Sequence, residues 1–456
     1  ATWISTEFNN QDSPSTFLSI GKEQQGPGPV LYLPFDEGFG TTAHDESSSH
    51  NDATISGATW QDESMCKAGK CLQFDGDDYL EIDDNNTLDI DNDLTIEAWV
   101  KPTTTNKTNQ TIISKQETTD EPTKIYRSVG PSATTAITTG SSNEMTISGT
   151  TATFASSLPT NVGVGDAIQY DDDNDGDIDT NDSIAFISGR ISGKEFRVQS
   201  ADGGTPTGVS ADTDWSLFRA YTSLANWESG TENTGIDGDL NTFDAGNRDI
   251  ATNNEQWNIA CYANGTTADS TAVTIDGWTT DAESYIRIYT PTEFDEVGVT
   301  QRHSGVWDAN KYHIELTASY NALIYLDEDY IKIIGLQINN TANDRPTAIG
   351  QNNTPTDNDN KFEIAHNIMR SSMSGSTFGN RGAIHMSQDY TELFVWNNIL
   401  YDFAGTDGGM GIYGARWSGE SYIFNNTIYN CYIGLWSGGD DSWRKSVIKN
   451  NIIQNV

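Results

Sequence analysis

The densest run of chemically active side chains is Asp171-Asp172-Asp173-Asn174-Asp175-Gly176-Asp177-Ile178-Asp179-Thr180-Asn181-Asp182. Counted from Asp171, carboxylates fall at positions one, three, five, seven, nine and twelve, with Gly176 at six and Ile178 at eight. In a tightly turned loop, alternate side chains converge on one point. Hard carboxylate oxygens gathered there suit a divalent cation with bonds of about 2.4 Å, and glycine permits the sharp turn. The expected ligand set is Asp171, Asp173, Asp175, Asp177, Asp179 and Asp182. The competing reading is a solvated acidic turn. Mutual repulsion among so many carboxylates in one loop weighs against that reading unless a cation is present.

This spacing resembles the calcium loop of EF-hand and dockerin-like type, with its D-x-D-x-D-G head, and the resemblance implies calcium. The resemblance also implies that position seven offers its backbone carbonyl, so that the Asp177 side chain points to solvent, and position twelve is Asp instead of the longer Glu. The flanking segments pattern as strands, so a structural ion is expected rather than a sensing helix pair. Weaker acidic groups lie at the turns and strand ends of the first hundred residues: Asp36, Asp45, Asp75, Asp77, Asp78, Asp83 and Asp84. A solvated rim is the default reading of these.

Catalytic signals are sparse. Six histidines, no H-E-x-x-H, no G-x-S-x-G and no phosphate loop leave hydrolase and nucleotide chemistry without support. The candidate groups in the last third, His366, Arg370, His385, Asp402, Asp407 and Arg416, form no motif and read as isolated surface residues, so no catalytic set is assigned. Trp417, Trp436 and Trp443 are candidates for stacking on sugars, with packing against the fold an equal reading.

The elements that must hold these residues are nearly all strands. The chain has 456 residues, a length that corresponds to roughly three domains. Lys and Arg number 25 against 66 Asp and Glu, a net charge of −41, which excludes unaided binding to nucleic acid or to an anionic membrane. Hydrophobic content of 35 % with 10 % aromatics is low for a globular chain yet enough for a core. No apolar run reaches the length of a membrane span. The chain opens at Ala1 without a signal segment and reads as processed or excised. Cys66 and Cys71 are spaced for a local disulfide across a turn, with free thiols the alternative. Cys261 and Cys431 sit in apolar stretches and read as buried thiols.

Leu31 to Gly38, Cys71 to Leu80, Leu94 to Pro102 and Ile112 to Lys115 resemble successive strands of laminin-G-like (concanavalin-like) jelly-roll modules. For the acidic groups of this region the resemblance implies the alternative to a solvated rim, calcium at the rim with Asp36 and Asp45 contributing. Leu94, Ile96, Ala98 and Val100 alternate as one face of a half-buried strand. The resemblance covers about 90 residues and then stops half-way through a module, while residues 1–20 resemble the tail of another. Residues 117–215 pattern as a small barrel or sandwich. Thr222 to Trp227 is the best helix candidate, with Thr222 as N-cap. In the last third Leu336-Gln337-Ile338, Asn367-Ile368-Met369, Asn398-Ile399-Leu400, Asn426-Thr427-Ile428 and Asn451-Ile452-Ile453 recur at intervals of 31, 31, 28 and 25 residues. Asn397-Asn398, Asn425-Asn426 and Asn450-Asn451 are doublets. The repeat resembles the rungs of a right-handed parallel β-helix of the pectin-lyase-like type, with the helix near 216–227 as its cap. Such β-helices often cleave acidic polysaccharides.

The sequence therefore predicts an all-β chain: an N-terminal tail over 1–24, a jelly-roll portion over 25–116, a small calcium-loop β domain over 117–215, and a right-handed parallel β-helix over 216–456. The combination is of the kind found in large secreted surface proteins of bacteria and archaea. The expected function is that of an extracellular structural or adhesive protein, stabilised by calcium. The half-module and the final rung, with no polar cap after it, point to head-to-tail assembly as a homo-oligomer or filament through strand complementation. The alternative is a secreted protein that binds or degrades polysaccharide, with a glycan ligand. Neither reading involves nucleic acid or a membrane span.

Overall fold

The computed structural model describes residues 29–75, 78–83, 85–88, 90, 95–102, 112–114, 121–173, 175–244, 248–351, 360–372, 382–386, 391–405, 408–414, 419–436 and 445–456. The tail 1–24 lies outside the described residues, as do Asp77, Asp84, Asp407, Arg416, Trp417 and Trp443. The chain divides into two compact units, residues 1–114 and 115–456.

In the first unit Thr42–Ala43, Ala53–Ser56 and Tyr79–Ile82 form an antiparallel sheet. Thr59–Gln61 and Cys71–Gln73 form a hairpin, and Cys66 is disulfide-bonded to Cys71 across its loop, with Cα atoms 5.6 Å apart. Alternation along Ala53–Ser56 turns Ala53 and Ile55 into a small core with Ala43, against which Leu33, Phe35, Trp60 and Leu80 pack. Two expectations fail here. Residues 31–38 form no strand, and 95–102 form none either: Trp99 is 87 % exposed, and Ile96 and Val100 are open. The alternating pattern at 94–100 is sound, but no described strand lies beside it to take up its N–H and C=O groups, and pattern without a neighbour does not make a strand.

The second unit is a parallel β-helix with an antiparallel sheet inserted near its start. Its three walls are parallel sheets of eight, six and six strands. The longest runs Thr123–Val129, Glu255–Cys261, Ile286–Tyr289, Ile331–Ile334, Asn360–Ala365, Thr391–Trp396, Glu420–Phe424 and Ser446–Lys449, each in register with the next. Inward positions carry Ile286 and Ile288, Ile331 and Ile333, Phe362 and Ile364, then Leu393 and Val395, all fully buried. These four rungs thus each add a pair of large apolar side chains to one continuous core, and the next adds Ile423 with Ser421 beside it.

The Asn-led segments form the second wall, from His313–Leu316 to Ile452–Gln454. The doublets have a division of labour. His366, Asn397, Asn425 and Asn450 take the left-handed backbone at the corner, with φ of 54 to 57°, which Asn tolerates better than most residues. The following Asn turns inward. Asn367 Nδ2 donates to Asn398 Oδ1, Asn398 Nδ2 to Asn426 Oδ1, and Asn426 Nδ2 to Asn451 Oδ1, each at 3.0 Å. A second ladder, not expected from the sequence, occupies another corner, where Asn455 donates to Asn430 and Asn430 to Asp402.

Strand Thr123–Val129 precedes residue 216 and yet pairs in parallel with Glu255–Cys261. Between the two lies the inserted sheet, in the order Val209–Asp212, Met145–Ser148, Thr151–Phe154, Glu195–Gln199, Ser183–Arg190, Ala167–Tyr170, Trp215–Phe218, Thr138–Thr139. It is antiparallel throughout and curls over its own core of Phe154, Ile168, Phe196 and Trp215. Two buried ion pairs lie near its junction with the first coil, Arg219 with Asp166 and Arg127 with Asp244, and the two guanidiniums bridge sheet and coil by lying over Tyr262 at 3.7 Å and over Phe186 at 3.8 Å. A helix spans Leu224–Ser229. Its N-cap is Ser223, whose hydroxyl accepts from Asn226 N–H; Thr222 instead receives the Asn226 side-chain amide. Leu224 and Trp227 are its buried face, against the first rungs.

Candidate metal centre

The acidic loop joins Ala167–Tyr170 to Ser183–Arg190, whose register ends on the pair Tyr170 and Ser183. It is the tip of a hairpin in the inserted sheet. Asp171 is the first residue past the strand and is only 2 % exposed. One of its oxygens accepts from Gly176 N–H at 2.8 Å, which folds the loop back over it. Gly176 has φ of 88°, a value that calls for glycine at position six. Asp173 and Asp175 follow in successive turns, each accepting from the N–H two residues on. Carboxylate oxygens of Asp171, Asp173 and Asp175 lie within 4.8 Å of one another.

The other three candidates take different places. Asp182 closes the neck of the loop, accepting from Asp172 N–H at 3.1 Å and Asp179 N–H at 2.7 Å. Asp179 accepts from Asn181 N–H, and Asp177 from Ile178 N–H at the exposed rim. Asp182 stays close enough for the charges of Asp171 and Asp173 to act on it. Desolvation first, and then those charges, raise its carboxyl above the ordinary range. Desolvation and the neighbouring Asp175 do the same to Asp173.

Asp212 was not visible as part of this group. It lies in strand Val209–Asp212, is 2 % exposed, and its Oδ1 accepts from Asp214 N–H at 2.6 Å. Its Oδ2 has no hydrogen-bond partner. Desolvation raises its carboxyl, and the charges of Asp171 and Asp182 add to that. No spacing rule connects it to the loop, because the strand brings it there from elsewhere in the chain. The donor set fits calcium: oxygens only, mutually repelling, with one buried oxygen lacking a partner. Asp171, Asp173 and Asp175 would hold the ion, and its charge would relieve the repulsion felt by Asp182 and Asp212.

The remaining acidic candidates are not gathered. Asp45 is buried, which pushes its carboxyl up, but bonds from Tyr32, Ser47 and Asn51 outweigh this and hold it below the ordinary range. Its role is to tie a turn. Asp36 accepts from Lys70 N–H and Asp78 from Asp75 N–H, and Asp83 is exposed. Among the described residues the Asp171 group is the one cluster with metal-binding spacing.

The rung candidates are likewise dispersed. His366 sits at a corner near Asn397, and Arg370 lies 3.7 Å over the ring of Trp307 and 3.6 Å from Glu315. His385 stacks on Tyr413 at 4.8 Å on the third wall, and Asp402 belongs to the second polar ladder. Trp436 is 43 % exposed. Phe394 and Tyr422 stack on each other at 4.7 Å and 4°, with the Lys361 ammonium 5.2 Å over Phe394 and that of Lys445 4.8 Å over Tyr422.

A family model described as the Concanavalin A-like lectin/glucanases superfamily matches residues 74–176. The match covers less than a quarter of the chain, starting at the 71–80 segment and ending inside the acidic loop. No curated protein and no solved structure matches the chain. The chain thus carries a segment similar to that superfamily together with a parallel β-helix, and the similarity supports a carbohydrate-binding or extracellular type of role in general terms. Among the described residues no helix is long and apolar enough to cross a membrane.

Proposed function

We propose that this chain is an extracellular, calcium-stabilised surface protein of structural or adhesive kind that contacts carbohydrate. The observation that carries the calcium reading is the Asp171, Asp173 and Asp175 group at a hairpin tip, beside the unpartnered oxygen of Asp212. The ion pins the tip of the inserted sheet, and the rungs of the β-helix form a stiff rod that carries it. The concanavalin-like match supports carbohydrate as the class of partner. Assembly into a filament by strand addition is the finer form of this proposal. Each parallel sheet has edge strands, and edge strands accept partners.

Thermal melting of the whole chain in calcium and in a chelator tests the ion. Calcium is expected to raise the melting temperature of the native chain and to have little effect on the variant carrying Asp171→Ala and Asp175→Ala. An equal rise in both would remove the loop as the site. Electron microscopy with and without chelator tests assembly, and discrete single particles in both conditions would remove the filament.

A further inference from the structure

A cavity of about 200 Å³ opens where the cap helix, the strand Glu255–Cys261 and the turn at Ala201 and Asp202 meet. Three indoles from separate segments line it. Trp227 stacks on Trp278 at 5.7 Å and 25°, and Trp257 meets Trp278 edge-on at 5.1 Å. Three carboxylates share the wall: Asp202, Asp244 and Glu255. Asp244 is taken up by Arg127 and the Tyr221 hydroxyl, whereas Glu255 accepts from Trp257 Nε1 at 3.0 Å, and Asp202 accepts from Ser200 and from Gly204 N–H. A carboxylate has about four acceptor sites, so Asp202 and Glu255 retain capacity. The indole N–H of Trp227, a fully buried wall residue, has no partner.

These features define a ligand. Aromatic walls favour C–H surfaces, spare carboxylate lone pairs call for O–H donors, and an unpaired indole N–H calls for an acceptor oxygen. A hydroxyl is donor and acceptor at once. Three carboxylates against Arg127 and Arg248 leave the wall negative, which disfavours uronates, sialates and phosphates. A quaternary ammonium group would satisfy rings and carboxylates but leave the indole N–H unpaired, and Arg248 already lies 4.8 Å over the ring of Trp278. At about 30 Å³ per water, the volume holds one small molecule rather than a chain of sugar units.

We propose that this cavity binds a single neutral sugar unit, with hydroxyls on Asp202 and Glu255 and the ring against the indoles. The ligand class rests on the carbohydrate reading above, while the place does not: the cavity is in the β-helix cap, formed by residues other than those of the calcium loop.

The test titrates the full chain, in calcium, with glucose, galactose, mannose, xylose and N-acetylglucosamine, read by tryptophan fluorescence and saturation-transfer NMR. Glucuronate and choline serve as controls. Saturable binding of at least one neutral sugar is expected, weakened about tenfold by Trp227→Phe, which keeps a ring and removes the donor, and by Asp202→Asn. If Trp227→Phe lowers the melting temperature, Asp202→Asn decides. Saturation by none of the neutral sugars, by choline or glucuronate alone, or equal affinity in both variants would overturn the proposal. A glycan array on native chain and Trp227→Phe separates the two levels. Signal retained in the variant keeps the carbohydrate reading and removes this cavity, whereas no signal from either removes both.

Discussion

His303 is the residue whose protonation state depends most on its setting among the histidines. Its Nδ1 accepts from Gly305 N–H, and Arg302 and His366 stand nearby. Burial holds its imidazole down at about 4, aided by the charge of Arg302 and opposed by a hydrogen bond with the His366 backbone. A histidine with a depressed folded value contributes stability that is complete above the unfolded value of 6.5 and is lost as pH falls from there toward about 4. The native chain is expected to lose on the order of 2 kcal/mol more than His303→Asn between pH 7.5 and pH 4. Parallel melts of the two proteins check this, because the carboxylate contribution cancels in the difference. The thiols make a second residue-scale prediction. Cys261 and Cys431 are buried, which pushes both thiols up, Cys431 to about 12. A thiol reagent should label neither in the native protein and both in denaturant, with Cys66 and Cys71 added only after reduction. Of these details the local disulfide was legible from a spacing of five, and the buried thiols from apolar neighbours. Asp212 was not, since nothing in Val209-Ser210-Ala211-Asp212 marks a partner of a loop far away in sequence.

Among elements, the Asn ladder carries the largest single consequence. Asn398 accepts from both the N–H and the side-chain amide of Asn367, and donates to Ile364, Trp396 and Asn426. Asn398→Ala would leave several buried backbone groups unpaired and is expected to cost about 2–4 kcal/mol, read by chemical denaturation. Arg219→Ala strands the fully buried carboxylate of Asp166 and is expected to cost about 3–5 kcal/mol, with Asp166→Asn in the same chain recovering part of it. The rungs were readable because the corner needs the same residue each time, so Asn recurs in the text as in the fold. Residues 94–100 were misread because an alternating pattern states which face is apolar and says nothing of whether a neighbouring strand exists. Thr123–Val129 reads like any short strand, and its membership in the parallel wall is decided by a partner more than a hundred residues away.

For the whole molecule, the net charge of −41 is a standing cost to compactness. Raising sodium chloride from low to physiological concentration should raise the melting temperature even in chelator, because it screens the self-repulsion of the acidic surface. A melting temperature that fell with salt would mean that attractive pairs outweigh the repulsion. Calcium should act on top of this and with a different pH profile. In chelator the raised carboxyls of Asp173 and Asp182 make the loop less stable as pH rises through their folded values, so the calcium-induced rise in melting temperature should shrink as pH falls into the carboxylate range. Melts at two pH values with and without calcium measure it.

The position of Thr123–Val129 also sets the order in which the chain reaches its final state. Later strands of this wall pair across 25 to 45 residues, whereas this strand must wait for the entire inserted sheet and for Glu255–Cys261 before it has anything to pair with. Closing so long a loop is entropically expensive until the intervening sheet has folded and shortened it. Refolding should therefore be stepwise, with hydrogen-exchange protection appearing in the Asn-led rungs and in the inserted sheet before it appears at 123–129. The segment that begins the rod would be the last piece of it to be set in place.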